Sequence, residues 1–271
     1  MDFIKKYPLD PKAVIFTPIV FRAGLTSMKD LVWPSLNGIR DLAWFTGIKD
    51  NAIRTALSRS KKVGGVVTHM DESGITRFRI SKSYFQMGMA SIQLDERKEG
   101  FVLAIFSFSK DEISKRTHLR ETLKNYGFKM IAQNSYINGN IDTKALINKM
   151  KDLNLYQHLY LFHCPDIEDK ELVEKIKNVF EIEKRTILLK QFYQDLKQWL
   201  SGQNIDTMEI ARRILYIGPL HWEICHVNEP PIPNKFKPQN YALDDIKKLY
   251  HDYTEKYQQD LIEYYLSVNS K

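Results

Sequence analysis

Asn51, Arg54, Thr55, Ser58, Arg59 and Lys62 lie within one short stretch, and their types are those that read and hold nucleic acid. Arginine pairs bidentately with a guanine edge and asparagine with adenine, while serine, threonine and lysine suit phosphate oxygens. Projected at 100° per residue, Asn51, Arg54, Thr55, Ser58 and Lys62 share one arc of a helix, with Arg59 at its flank. Ile53, Ala56, Leu57 and Ser60 share the opposite arc. One face is suited to packing and the other to a polyanion. Lys49 stands just ahead of this stretch, and Arg59 equally suits an internal ion pair with Asp41 or Asp50. A charged helix face taken alone is most often simply solvated, so the elements around it must decide.

Those elements form a consistent set. Asp50 can cap the helix and Gly64-Gly65 can end it, giving a helix of about Asn51 to Val63. Val66 to Met70 and Ile75 to Ile80 then read as two strands joined by the turn Asp71-Glu72-Ser73-Gly74. Strand alternation places Thr76, Phe78 and Ile80 on one face, and Arg77 and Arg79 on the other, away from the core, where they can hold a phosphate or enter a minor groove. Upstream, Asp10-Pro11 starts a helix that runs to about Phe21 with Pro18 disturbing it. Pro34 opens a second helix, with Leu36, Ile39, Leu42 and Ala43 at amphipathic spacing, and Thr46-Gly47-Ile48-Lys49 is the turn before Asp50. Two helices so joined and followed by a hairpin predict a winged helix-turn-helix domain over residues 1–93. Between Lys49 and Arg79 seven basic residues face three acidic ones, an excess of four within a chain whose net charge is +7.

The remainder predicts an α+β chain. Tyr84 to Gln93 reads as a linking helix and Leu94 to Gly100 as a charged connector. Phe101 to Phe108 is a buried strand, Asp111 to Tyr126 a helix ended by Gly127, and Phe128 to Ala132 with Ser135 to Ile137 a strand pair. Asp142 then caps a helix bearing Leu146, Met150 and Leu153, and His158 to His163 is a further strand. The order βαββαβ is that of a ferredoxin-like domain, here over residues 99–182. From Pro165 onward the chain is almost all helix, which predicts a helical C-terminal domain over 183–271, ending in one long helix from about Leu243 to Val268 with Tyr250, Tyr253, Tyr257 and Tyr264 along it.

Composition narrows the function classes. With 271 residues, 43% hydrophobic and 27% charged, the chain is long enough for two or three domains with real cores. Forty basic against 33 acidic residues favour an anionic partner. Two cysteines, Cys164 and Cys225, make no disulfide scaffold and fit a reducing cytoplasm, although one bridge between them stays open. The longest apolar run, Phe101 to Phe106, is far short of the ~20 residues a membrane helix needs. Lys5, Lys6 and the apolar Ala13 to Phe21 superficially suggest a leader, but Pro18 interrupts the run. No glycine-rich loop has phosphate-binding spacing. His221, Cys225 and His226 match no common metal site, and no nucleophile elbow is present. Neither an enzyme nor a bound cofactor is expected.

The stretch Asn51 to Arg59, NAIRTALSR, is similar to the recognition-helix signature of the PaaX family, bacterial repressors of phenylacetate degradation. Glu99 to Asn138 resembles that family's central ferredoxin-like domain. Trp222, Glu229-Pro230, Ile232-Pro233, Lys237-Pro238 and Tyr241 resemble its C-terminal domain. The chain departs from the family's usual pattern at the acidic Asp71-Glu72 and in having Glu229-Pro230 and Tyr241 for Asp-Pro and a later tryptophan. The resemblance implies a homodimeric repressor on a double-stranded DNA operator, released by an aryl- or acyl-coenzyme A thioester such as phenylacetyl-coenzyme A, with no membrane partner. Arg212, Arg213, Lys115, Arg116 and Arg120 are candidates for contact with such an effector. Two other classes remain as alternatives: a metal-dependent nuclease on the ferredoxin-like domain, which Ser107-Phe108 disfavours because that family places an aspartate there, and a winged-helix adaptor for protein contacts.

Overall fold

The structure, a computed structural model, describes residues 3–24, 33–82, 98–140, 143–202, 206–230 and 232–269. The chain is mixed α+β. In order, its main elements are α1 (Phe3–Lys6), α2 (Pro11–Gly24), α3 (Leu36–Phe45), α4 (Asp50–Lys62), β1 (Val66–Met70), β2 (Thr76–Ile80), β3 (Lys98–Phe106), α5 (Ile113–Asn125), β4 (Lys129–Ala132), β5 (Ser135–Asn140), α6 (Thr143–Asp152), β6 (Leu159–Cys164), α7 (Lys170–Val179), α8 (Ile182–Leu200), α9 (Thr207–Trp222), α10 (Leu243–Lys256) and α11 (Gln258–Asn269). The expected helix Tyr84 to Gln93, most of the Leu94 to Gly100 connector and the Asp142 cap lie outside the described residues.

Two compact units form, one of residues 1–92, 191–228 and 242–271, the other of residues 93–190 and 229–241. This differs from the three consecutive domains that the sequence suggests. In the first unit Val14, Ile15 and Ile19 of α2, Ile39 and Leu42 of α3, and Ile53 and Leu57 of α4 share one buried core with Ala211, Ile214 and Leu215 of α9 and Leu261 and Tyr264 of α11. An amphipathic helix is stabilised chiefly by burying its apolar stripe, and here the N-terminal helices supply the surface that the C-terminal ones need. The expected single last helix is broken at Tyr257, where the backbone leaves helical angles between α10 and α11.

Local chemistry explains most boundaries. Asp10 Oδ1 accepts from the Ala13 amide at 2.8 Å ahead of Pro11 at the start of α2. Ser35 caps α3 by accepting from the Gly38 amide. Gly47 then takes φ +75 in the turn, and Gly64 takes φ +71 just past α4, conformations that cost a residue with Cβ. The strands β1 and β2 pair antiparallel from Val66 with Ile80 to Met70 with Thr76.

Two buried polar clusters fasten this unit. Asn269, at the end of α11, is fully buried: its Oδ1 accepts from the Ser35 amide at 2.8 Å and its Nδ2 donates to the Tyr265 carbonyl at 2.8 Å. Asp41 accepts a two-pronged pair from Arg212 Nε and Nη2, both at 2.8 Å, and a further hydrogen bond from the Tyr264 hydroxyl. Burial acts to raise the Asp41 carboxyl, but the bonds from Arg212 and Tyr264 outweigh it and hold the group below its ordinary range. Burial and the Asp41 charge push the Tyr264 hydroxyl well up.

In the second unit the sheet order is β4-β5-β3-β6, every neighbour antiparallel. Alternation along β3 sends Val102, Ala104 and Phe106 to one face, where Leu119 and Leu123 of α5 and Leu146 and Met150 of α6 cover them. Phe101 meets Ile176, Phe180 and Phe236 on the other face. Glu229 is buried beside Lys237 at 2.8 Å and Arg185 at 3.6 Å, and accepts from the Tyr241 hydroxyl at 2.9 Å. Three of the residues that carry the C-terminal family resemblance, Glu229, Lys237 and Tyr241, thus meet in one ionic cluster.

Two outcomes test these fastenings. A Cβ at Gly38 would lie 2.1 Å from Asn269 Oδ1, in a side chain tied at both ends. Gly38→Ala should therefore destabilise the chain by about 1–3 kcal/mol in thermal denaturation. The lowered Asp41 pKa means that the unfolded chain takes up that proton first on acidification, so the stability it contributes is complete above the ordinary value of 3.8 and is lost as pH falls through the folded value. Asp41→Ala should cost about 1.5–3 kcal/mol at pH 7, with the gap to wild type closing in melts run at progressively lower pH below 4.

Candidate nucleic-acid interface

The site is built on α4. Ile53, Leu57 and Ser60 are buried, whereas Asn51, Arg54, Thr55, Ser58, Arg59, Lys61 and Lys62 are exposed, and Lys49 is exposed immediately before them. The helix thus separates its two arcs as its periodicity suggests. The Thr55 hydroxyl donates back to the Asn51 carbonyl at 2.8 Å, the local bond usual for a threonine within a helix. Along one side of α4 runs an open groove of about 720 Å³ lined by Pro11, Asn51, Ala52, Thr55, Arg59 and Val63. It gives the polar face an edge against α2.

Asp50 does not do what its position suggests. The helix begins one residue earlier than expected, with Lys49 at its cap and no side-chain capping bond. The Asp50 carboxylate instead joins two arginines. Arg40 Nε and Nη2 of α3 approach Oδ1 and Oδ2 at 2.5 and 3.1 Å, and Arg54 Nε approaches Oδ2 at 2.6 Å. The Arg40 bond foremost, then the Arg54 bond, lower the Asp50 carboxyl to about 2. A carboxylate flanked by two guanidinium groups attracts them more than a helix-end amide attracts it. With Asp41 given to Arg212, and Asp50 to Arg40 and Arg54, neither proposed partner of Arg59 takes it up. Arg59 makes no ion pair among the described residues.

The hairpin corrects the sequence reading at Arg77. Expected to face away from the core with Arg79, Arg77 is 4% exposed. Its Nε donates to Asp71 Oδ2 at 2.6 Å and its Nη1 to the Asn269 carbonyl at 2.5 Å. Strand alternation holds, but the expectation that only the Phe78 face is covered does not: the end of α11 covers the other. On the outer edge of β2 the Phe78 amide also donates to the Pro34 carbonyl at 2.9 Å. Arg77 is therefore a structural clamp. Arg79 remains exposed.

Asp71, one of the two acids at the turn, is also occupied. Its Oδ1 accepts from the Ser73 hydroxyl at 2.7 Å and the Ile75 amide at 2.9 Å, which together with Arg77 hold its carboxyl far below the usual range. This leaves Glu72 as the exposed acid of the turn. Two residues escaped the sequence reading, Arg40 and Trp44, and Asp50, weighed there as a partner of Arg59, pairs with Arg40 and Arg54 instead. The Trp44 indole is 77% exposed beside a second hollow lined by Arg40, Gly47, Lys49 and Asp50. Its signal was available, since one step of 100° beyond Ala43 turns it off the apolar arc of α3.

Four of the five basic residues considered for an effector are engaged elsewhere, while the Arg116 Nε is buried without a hydrogen-bond partner among the described residues. Arg212 pairs with Asp41. Arg213 pairs with Glu209 at 2.5 Å and donates to the Trp199 carbonyl. Lys115 pairs with Glu112 at 2.8 Å, and Arg120 donates to the Tyr136 hydroxyl at 3.1 Å. His221 stacks on Tyr250 at 4.4 Å, and burial, with His226 and Lys247 nearby, lowers its pKa to about 4. No group of three or more histidine, cysteine or acidic side chains suited to a metal occurs among the described residues.

No family model matches the chain, and no curated protein matches it. The fold is similar to a solved structure, the uncharacterized protein Rv0674 from Mycobacterium tuberculosis, with a TM-score of 0.59 and 14% identity over 93% of this chain and 97% of that one. Among the described residues no helix is long and apolar enough to cross a membrane.

The two arginines of β2 differ in burial, Arg77 being covered and Arg79 exposed. Arg77→Ala should lower the melting temperature and Arg79→Ala should leave it unchanged; melting curves of both variants check this.

Proposed function

We propose that the chain is a DNA-binding transcription repressor of PaaX type, with a winged helix-turn-helix reading head and a ferredoxin-like unit. The single observation that carries the reading is the exposed face of α4, where Asn51, Arg54, Thr55, Ser58, Arg59 and Lys62 stand together opposite a buried apolar arc. The turn from α3 through Gly47 into α4, followed by the β1–β2 pair, supports the helix-turn-helix reading, in which the second helix enters a major groove. In the second unit, the order β4-β5-β3-β6 with α5 and α6 on one face supports the ferredoxin-like reading.

On this reading Asn51 and Arg54 contact base edges, and Lys49, Thr55, Ser58, Arg59, Lys62 and Arg79 contact phosphates. The protein acts as a homodimer on a two-fold-related operator. Phenylacetyl-coenzyme A or another acyl-coenzyme A thioester releases it by binding more tightly to the state with the wrong helix separation. The effector part rests on the family resemblance.

Selection from a randomised duplex pool should return a motif, and Arg54→Ala should weaken binding to it by about 1–3 kcal/mol and relax preference at one base pair. An unchanged isotherm and an unchanged motif would remove Arg54 from the groove. Phenylacetyl-coenzyme A should shift the melting temperature and lower the affinity for the selected duplex. A thioester series that does neither overturns the effector part and leaves the DNA part standing.

A further inference from the structure

We infer that Asp50 is a positioning residue that aims Arg54 at a guanine in the operator. The inference rests on the DNA-reading proposal and adds which base is read and what makes the reading selective.

The geometry distinguishes the two arginines on the Asp50 carboxylate. Arg40 presents its side, with Nε at 2.5 Å from Oδ1 and Nη2 at 3.1 Å from Oδ2, and so spends one whole edge of the guanidinium on the pair. Arg54 gives only Nε, at 2.6 Å from Oδ2. Its two Nη groups form no other hydrogen bond among the described residues, and the side chain is on the exposed face of α4. Two parallel N–H donors at the end of a planar fork match the O6 and N7 acceptors that guanine shows in the major groove. The fork is held from behind by a carboxylate that is itself fixed to α3 through Arg40. A long side chain that is already oriented loses less freedom on binding than one that must be ordered by its target.

The location of Asp50 gives a second, independent reason. It occupies the first turn of a 13-residue helix, where exposed amides and the helix dipole would otherwise favour a phosphate. A carboxylate there repels the DNA backbone, which is a loss for general affinity. The same charge turns that end of α4 from backbone holding toward base contact. Asp50 should therefore lower affinity for arbitrary DNA while raising discrimination, and these two effects carry opposite signs in a binding assay.

The test uses the full chain and a duplex selected from a randomised pool, with a second duplex in which the guanine lost from the Arg54→Ala motif is replaced. Asp50→Asn and Asp50→Ala should bind arbitrary duplex more tightly than wild type, while the preference for the guanine duplex falls on the order of tenfold. In the Arg54→Ala background, Asp50→Asn should change the preference no further. Retained binding of arbitrary duplex shows that the variants are folded. If Asp50→Asn keeps the full guanine preference, or weakens binding to every duplex alike, the positioning role is overturned while the DNA reading stands. If Arg54→Ala relaxes a base other than guanine, the inference also falls alone. A wild-type protein that selects no motif overturns the DNA reading and this inference together.

Discussion

The buried amide of Asn269 is the constraint on which the placing of the exposed face of α4 depends. It is the last described residue of the chain, yet its side chain accepts from Ser35, the residue that caps α3, and its carbonyl accepts from Arg77 in β2. Gly38 leaves the room it needs. A buried polar side chain left without such partners would be costly, so both ends of that amide must be satisfied together. The end of α11 is thereby fixed against both the helix that precedes α4 and the hairpin that follows it.

With that end fixed, the orientation of α4 follows from packing and charge. Ile53 and Leu57 sit in the core that α9 and α11 help to close, and the polar arc is exposed. Asp41 with Arg212 and Tyr264 ties α3 to both of those C-terminal helices. The Arg40 and Asp50 pair then ties α3 to the start of α4. In the proposed repressor, a ligand that moves α9 or α11 acts on the reading helix through these contacts and needs no separate signalling element.

Much of this was legible from local patterns. The arcs of α4, the pairing of β1 with β2 and the end of α5 at Gly127 follow from periods of 3.6 and 2 together with turn chemistry. The misreadings at Arg77 and Asp50 come from contacts with other elements, Asn269 of α11 and Arg40 of α3. Arg77 was assigned to solvent because nothing in its neighbourhood shows that α11 covers its face. Asp50 was read as a cap because its competing partner, Arg40, belongs to another helix. The C-terminal helices were read as a domain of their own because an amphipathic stripe tells that it is covered but not by what. Of the expected reading residues, Lys49, Asn51, Arg54, Thr55, Ser58, Arg59, Lys62 and Arg79 are on the surface, and only Arg77 is withdrawn from it.

The central claim is that the exposed face of α4 binds nucleic acid through its charge and its base-reading side chains. The most direct measurement is the salt dependence of wild-type binding to a duplex between about 50 and 200 mM salt. Release of counterions from several phosphates predicts that the logarithm of the binding constant falls linearly and steeply with the logarithm of salt concentration. Binding that does not change with salt, or no binding to any duplex at the lowest salt, would contradict it.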